Sequence, residues 1–160
     1  MMNRRIILCG PTCSGKTFLR NRFENRGFTC DISYTSRKPR DGEKDGVHYK
    51  FLEKKQFEVL VKGNFFYEWV EYDGKYYGTG KREWENLSLF IMETDGIKHI
   101  KPEDCKNSFI IYLNPPVSVR MLRMKERGWN SEKANKRLVT DQEKFGDFTD
   151  YDIIIRDENF

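Results

Sequence analysis

An apolar run, Arg4-Arg5-Ile6-Ile7-Leu8-Cys9, passes directly into Gly10-Pro11-Thr12-Cys13-Ser14-Gly15-Lys16-Thr17, and no other stretch restricts the fold as tightly. The order is G-x-x-x-x-G-K-[ST], the pattern of a phosphate-binding loop set between a buried strand and a helix. Small residues let successive backbone N–H groups curl around phosphate oxygens, and the helix beyond directs its positive end at the same anion. Lys16 would bring a mobile cation to the outer phosphates of ATP, and Thr17 a hydroxyl ligand for Mg²⁺. With average residue frequencies, the pattern arises by chance in roughly one of two hundred chains this long. The strand in front and the amphipathic helix behind make an ordinary Gly-rich turn the weaker explanation.

The 160 residues suit one domain that can bury about two thirds of its unfolded surface. At 38% hydrophobic and 34% charged, the chain can build a core and is not disordered. The formal charge of +4 is spread over a dense mixture of both signs and fits small anionic ligands. A nucleic-acid binder carries a stronger, clustered bias, so no such partner is expected. Cys9, Cys13, Cys30 and Cys105 show no metal-ligand spacing, and reduced thiols in a cytoplasmic compartment are expected. Ile6 to Leu8 is too short an apolar run for a signal peptide or membrane span, so no membrane partner is expected either.

Phe18, Leu19 and Phe23 recur at helical spacing, with Gly27 as the stop. Phe28-Thr29-Cys30-Asp31-Ile32 reads as a second strand, and Ser33 to Tyr49 as a polar loop of functional length. Glu53 to Lys62 is helical and closed by Gly63. Phe65 to Tyr72 is a strand that returns through the Asp73-Gly74 turn and Lys75-Tyr76-Tyr77. Leu87 to Met92 and Ser108 to Leu113 read as strands on either side of a short helix at Asp95 to Ile100. Val117 to about Arg127 is a helix, Ser131 caps the next, which ends near Gly146, and Tyr151 to Ile155 is a final strand. Strands separated by helices predict an α/β fold with a three-layer, mostly parallel sheet.

The polar loop carries the second constellation. Arg37 and Arg40 flank Pro39, which stiffens the chain, and Arg forks bind phosphate oxygens bidentately. Tyr49 adds a hydroxyl. A solvated basic loop is the plain alternative. The stretch Ser33-Tyr34-Thr35-Ser36-Arg37-Lys38-Pro39-Arg40-Asp41-Gly42-Glu43-Lys44-Asp45-Gly46-Val47-His48-Tyr49 closely resembles the guanylate kinase pattern S-x-T-T-R-x-P-R-x-G-E-x-x-G-x-x-Y. Glu68-Trp69 and Gly74-Lys75-Tyr76-Tyr77-Gly78-Thr79 resemble two further segments of that family, and the likeness extends from about Arg4 to Arg156.

The resemblance implies a P-loop NTPase-type core (about 3–32, 86–120 and 146–160) within a single domain, 1–160. A small β-rich insertion that binds a nucleoside monophosphate (about 33–85) and a helical lid (about 121–145) would complete it. It implies transfer of the ATP γ-phosphate to GMP or dGMP with Mg²⁺. Gly10 to Thr17 would bind ATP. Arg37, Arg40, Tyr49 and Tyr77 would hold the acceptor phosphate, and Glu43 and Glu93 would belong to the same site. Ser33, Glu68 and Thr79 would read the guanine edge. A buried Glu68 can accept from guanine N1–H and N2–H₂, whereas adenine offers no such donor pair and would leave it unpaired. Tyr76 is expected to pack across strands. Lys16 and the lid residues Arg123, Arg127 and Arg137 would be catalytic, because phosphoryl transfer needs convergent cations. Arg120 has no match in the family and is expected at the surface.

Three features depart from the family pattern. Its Asp-x-Asp before a Gly corresponds to Ile91-Met92-Glu93 without a gap, or to Glu93 and Asp95 with a shift. Either Glu93 or Asp95 could thus join Thr17 at Mg²⁺ through water. Cys13 replaces the usual Gly, a change tolerated if that position avoids positive φ, with an exposed, oxidisable thiol expected. The chain stops roughly one helix short of the family's usual end, with Arg156-Asp157-Glu158 where the adenine pocket is normally completed. Such a compact form fits a viral source, in which case the compartment is the host cytoplasm. A monomer or homodimer is expected. The rival readings are a non-catalytic guanylate-kinase-like binding module and a kinase for another phosphorylated acceptor.

Overall fold

β1 (Arg5–Cys9) lies at the centre of the first sheet because its side chains are apolar on both faces. The computed structural model describes residues 4–72, 74–157 and 159. The chain continues as α1 (Lys16–Glu24), β2 (Tyr34–Thr35), β3 (Lys50–Phe51), α2 (Lys54–Lys62), β4 (Phe66–Tyr72), β5 (Lys75–Gly80) and α3 (Lys81–Asn86). It ends with β6 (Leu89–Ile91), α4 (Thr94–Lys98), α5 (Pro102–Cys105), β7 (Ser108–Leu113), α6 (Val117–Glu126), α7 (Ser131–Phe145) and β8 (Ile153–Ile155).

The first sheet has the order β6-β1-β7-β8, and every pair in it is parallel. One face, with Ile7, Cys9, Phe90 and Tyr112, packs on Trp84, Ile97, Ile100, Phe145 and Phe148. The opposite face, with Leu8, Leu89, Ile111 and Leu113, packs on Leu19, Phe23 and Phe28 in and after α1. Each fully buried side chain of this size contributes about 2 kcal/mol by leaving water. The ends of the parallel strands thereby become a rigid platform for the loops that follow them.

The second sheet, also of four strands, is mostly antiparallel, in the order β3-β2-β5-β4. A register shift between Phe66 and Glu68 changes which way β4 faces. Phe66 stacks on Phe57 of α2 at 4.4 Å, and Trp69 and Tyr76 meet the same ring at 6.5 and 5.3 Å. Tyr76 is therefore the packing residue its neighbours predict. Glu68, Val70 and Tyr72 alternate onto the other side.

Several local expectations change. Phe28 to Ile32 does not form a strand. Cys30 makes one bridge to Leu89 and the Asp31 N–H donates to the Leu89 carbonyl at 2.8 Å, and the pairing goes no further; the Asp31 carboxylate accepts the Ser33 hydroxyl at 2.7 Å. The cap of α7 is Asn130, whose side chain accepts from the Lys133 N–H at 2.9 Å, rather than Ser131. After Gly63, Asn64 takes the left-handed turn at φ 53°. The Asp73 half of the expected hairpin turn lies outside the described residues.

Cys9, Cys13 and Cys30 are buried and Cys105 is exposed, all as free thiols. Burial pushes Cys9 and Cys30 up to about 12. Iodoacetamide at pH 8 should therefore label Cys105 alone in the native protein and the other three only in urea, as peptide mapping would show.

Candidate functional site

The phosphate loop is shaped by close approach. At Gly10, φ is 151°, and a Cβ would stand 2.3 Å from the Leu113 carbonyl oxygen, so only glycine fits. Gly15, at φ 100°, turns the chain into α1. Cys13 also takes a positive φ, 62°, which corrects the expectation that its position avoids that region. The strain costs roughly 1 kcal/mol and is offset by packing of the thiol against Met124 and Ala134. That packing also removes the expected exposure. Lys16 Nζ donates to the carbonyls of Gly10 and Pro11 at 2.5 and 3.0 Å. Desolvation draws its ammonium below the ordinary value, against the opposing pull of Glu93 and Asp141.

Thr12 is gripped by the two helices α6 and α7. Its N–H donates to Asp141 Oδ2 at 3.0 Å, and its carbonyl accepts from Arg120 Nε at 2.9 Å. Arg120 is not at the surface: its side chain is 6% exposed and paired with Asp141, itself 1% exposed. Sequence reasoning missed this pair, although one signal was present. Ala134, Leu138, Asp141 and Phe145 share one helical stripe, and an acid on an apolar stripe needs a buried partner.

Of the three arginines matched to the lid, two reach the loop. Arg123 Nη1 donates to the Cys13 carbonyl at 3.1 Å. Arg137 Nε donates to Thr12 Oγ1 at 2.5 Å and lies 3.0 Å from Asp141 Oδ1. Arg127 caps α6 in an exposed position.

On the second sheet, Arg37, Arg40, Tyr49 and Tyr77 converge. The Tyr49 and Tyr77 rings are 6.2 Å apart, and the Arg37 guanidinium lies 5.3 Å from the Tyr49 ring centre. Arg37 bonds to Tyr77, whose hydroxyl burial holds above its ordinary value against the opposing pull of Arg37 and Arg40. Glu43 is placed behind these groups. It accepts from both Arg37 terminal nitrogens at 2.8 and 2.9 Å and from the Arg40 N–H at 2.7 Å. Its carboxylate thus aims the fork of Arg37 and is not itself turned to an anion.

Glu68 is 7% exposed and bonded to Thr79. Burial pushes its carboxyl up to about 7. Gly96 makes room for it, since a Cβ there would meet Glu68 Oε2 at 2.8 Å. Glu68 also lines a cleft of ≈ 600 Å³ between β4 and α4, with Val70, Asp95 and His99. Ser33 donates to buried Asp31, whose carboxyl desolvation pushes up to about 6.

The structure separates the two acidic candidates. Glu93 acts on Lys16, Tyr49 and Tyr77, and its Oε2 is buried without a hydrogen-bond partner among the described residues. Asp95 instead faces Lys98 and Lys144 at 3.4 and 3.7 Å. Ile91 packs into the core against α1. Among the described residues no three metal-binding side chains cluster, so a cation here would depend on oxygens from its ligand. Arg156 lines a hollow of ≈ 360 Å³ with Asn114, Asp147 and Thr149. Glu158 lies outside the described residues.

The family model for guanylate kinase matches residues 2–160. A guanylate kinase of Onion yellows phytoplasma (strain OY-M) is 36% identical over 166 residues, covering 96% of this chain and 78% of the relative. One from Rickettsia bellii (strain RML369-C) is 35% identical over 165 residues, covering 97% and 86%. The crystal structure of guanylate kinase from Anaplasma phagocytophilum superposes with a TM-score of 0.75 at 22% identity, over 98% of this chain and 78% of that one. That last likeness shows the fold, including the parallel core sheet.

Asp141→Ala would leave Arg120 buried without its carboxylate. Breaking one partner of such a pair costs about 3–5 kcal/mol, and urea unfolding should show a loss of that size.

Proposed function

Because the chain belongs to the guanylate kinase family, we infer that it is an ATP-dependent phosphotransferase that converts GMP or dGMP to the diphosphate. Glu68 carries the choice of base: a buried carboxylate bonded to Thr79 and facing a cleft supplies the acceptors that guanine N1–H and N2–H₂ need. The intact Gly10–Thr17 loop and the arginines that reach it favour catalysis over a bare binding module.

Segments of about 33–85 and 121–145 serve as acceptor-binding insertion and lid. Arg37, Arg40, Tyr49 and Tyr77 hold the acceptor phosphate, with Glu43 orienting Arg37. The backbone of residues 10–17 holds the donor triphosphate, and Lys16 swings from the Gly10 and Pro11 carbonyls to its outer oxygens. Arg123 and Arg137 neutralise charge on the moving group, and Arg127 swings in from solvent when the lid closes. Transfer needs no covalent intermediate, only in-line alignment and exclusion of water. Thr17 and the unpartnered Glu93 Oε2 fit Mg²⁺ held on ATP, which would offset phosphate charge. Adenine fits the hollow lined by Asn114 and Arg156. A monomer or homodimer in the cytoplasm, where the free thiols would stay reduced, fits this reading.

Coupled ADP release over a panel of ribo- and deoxynucleoside monophosphates tests the assignment. Turnover on GMP and dGMP alone supports it, and preference for another acceptor overturns it. Lys16→Met should abolish transfer while GMP binding, measured by calorimetry, is retained; near-normal turnover would remove Lys16 from its role. Glu68 can accept both guanine donors with its two oxygens only when ionised. With its pKa near 7 in the free protein, KM for GMP should rise as pH falls below 7, approaching about tenfold per unit, while KM for ATP stays flat.

A further inference from the structure

Tyr72 ends β4 on the same side of the strand as Glu68 and Val70, and it is where the acceptor sheet meets α7. Its hydroxyl accepts from Arg137 Nη1. Its ring lies 4.8 Å from the Arg137 guanidinium carbon and 3.7 Å from Lys144 Nζ. Lys144 also lies 3.7 Å from Asp95 Oδ2. Two lid cations therefore hold one aromatic side chain of the acceptor sheet.

Three separate parts of the molecule fix Arg137. The phosphate loop supplies Thr12, α7 supplies Asp141, and β4 supplies Tyr72. The first two contacts engage Nε and travel with the loop and the lid. Only the third, on Nη1, depends on where the acceptor sheet stands. With Nε and Nη1 held, Nη2 has no hydrogen bond among the described residues and is left for a ligand.

We propose that Tyr72 is a positioning residue that makes the placement of Arg137 depend on closure of the acceptor sheet. Closure over a bound monophosphate brings Tyr72 to Arg137 and sets the guanidinium toward the phosphate loop. With the sheet open, Arg137 keeps its Thr12 and Asp141 contacts but loses the one that orients Nη1. The device couples two substrates: the lid arginine is fully aimed only when an acceptor is present, which disfavours transfer to water. This inference rests on the assignment of Arg137 to the moving phosphoryl group.

The test is steady-state kinetics on Tyr72→Phe, Arg137→Ala and the double variant, with thermal unfolding of each. Tyr72→Phe keeps the ring and removes the acceptor oxygen. It should lower kcat about tenfold, the scale of a displaced catalytic group, with KM for GMP and ATP within about twofold of wild type. Tyr72→Leu, which also removes the ring face, should lose more. On the Arg137→Ala background, Tyr72→Phe should have no further effect on kcat. An unchanged kcat in Tyr72→Phe, or the same loss on both backgrounds, would overturn the inference while leaving Arg137 in place. A normal kcat in Arg137→Ala would overturn the assignment of Arg137 and the inference with it. A loss confined to KM or to unfolding temperature would reduce Tyr72 to a structural contact.

Discussion

One buried carboxylate organises the donor side of this molecule. Asp141 is nearly inaccessible, yet it takes the Thr12 N–H, the Arg120 guanidinium and the Arg137 side chain. An isolated charge in that position would be untenable. Its three partners come from the phosphate loop, α6 and α7, so neutralising it forces those elements together. The phosphate loop is thus held from the side as well as by β1 and α1.

The acceptor side is organised by a different compromise. Glu68 is kept in a place where burial disfavours its charged form, with Thr79 bonding it and Asp31 adding repulsion. A residue placed for stability alone would be apolar there. Under the proposed function a ligand's donors would relieve that environment, and the stability given up at Glu68 would return as selectivity on binding.

How much of this the sequence discloses depends on how local the cause is. The Gly10–Thr17 loop is legible because its chemistry sits on consecutive residues. The Arg37–Arg40 loop is legible because its forks and turns lie within one segment, although the inward role of Glu43 emerges only when its carboxylate is seen on Arg37. The Arg120–Asp141 pair is hidden because its partners lie on different helices and neither spacing announces the other. Cys13 is hidden for another reason: the backbone angle follows from the loop, and the packing that offsets it comes from Met124 and Ala134. The failed strand at Phe28 to Ile32 shows that residue type alone does not make a strand: only Cys30 and Asp31 meet β6, at Leu89.

The irregularity between Phe66 and Glu68 has an evolutionary consequence. Strand residues are dealt alternately to two sides, and the extra residue at this point shifts the deal. Because of it, Glu68 turns toward Gly96 of α4 while Trp69 turns toward the Phe57 ring of α2. The loss of a single codon upstream of Glu68 in β4 would present an indole where the carboxylate now stands, with every side chain of the recognition surface still encoded. The side of β4 on which this carboxylate stands is therefore inherited as a count of residues along a strand as much as by their identities.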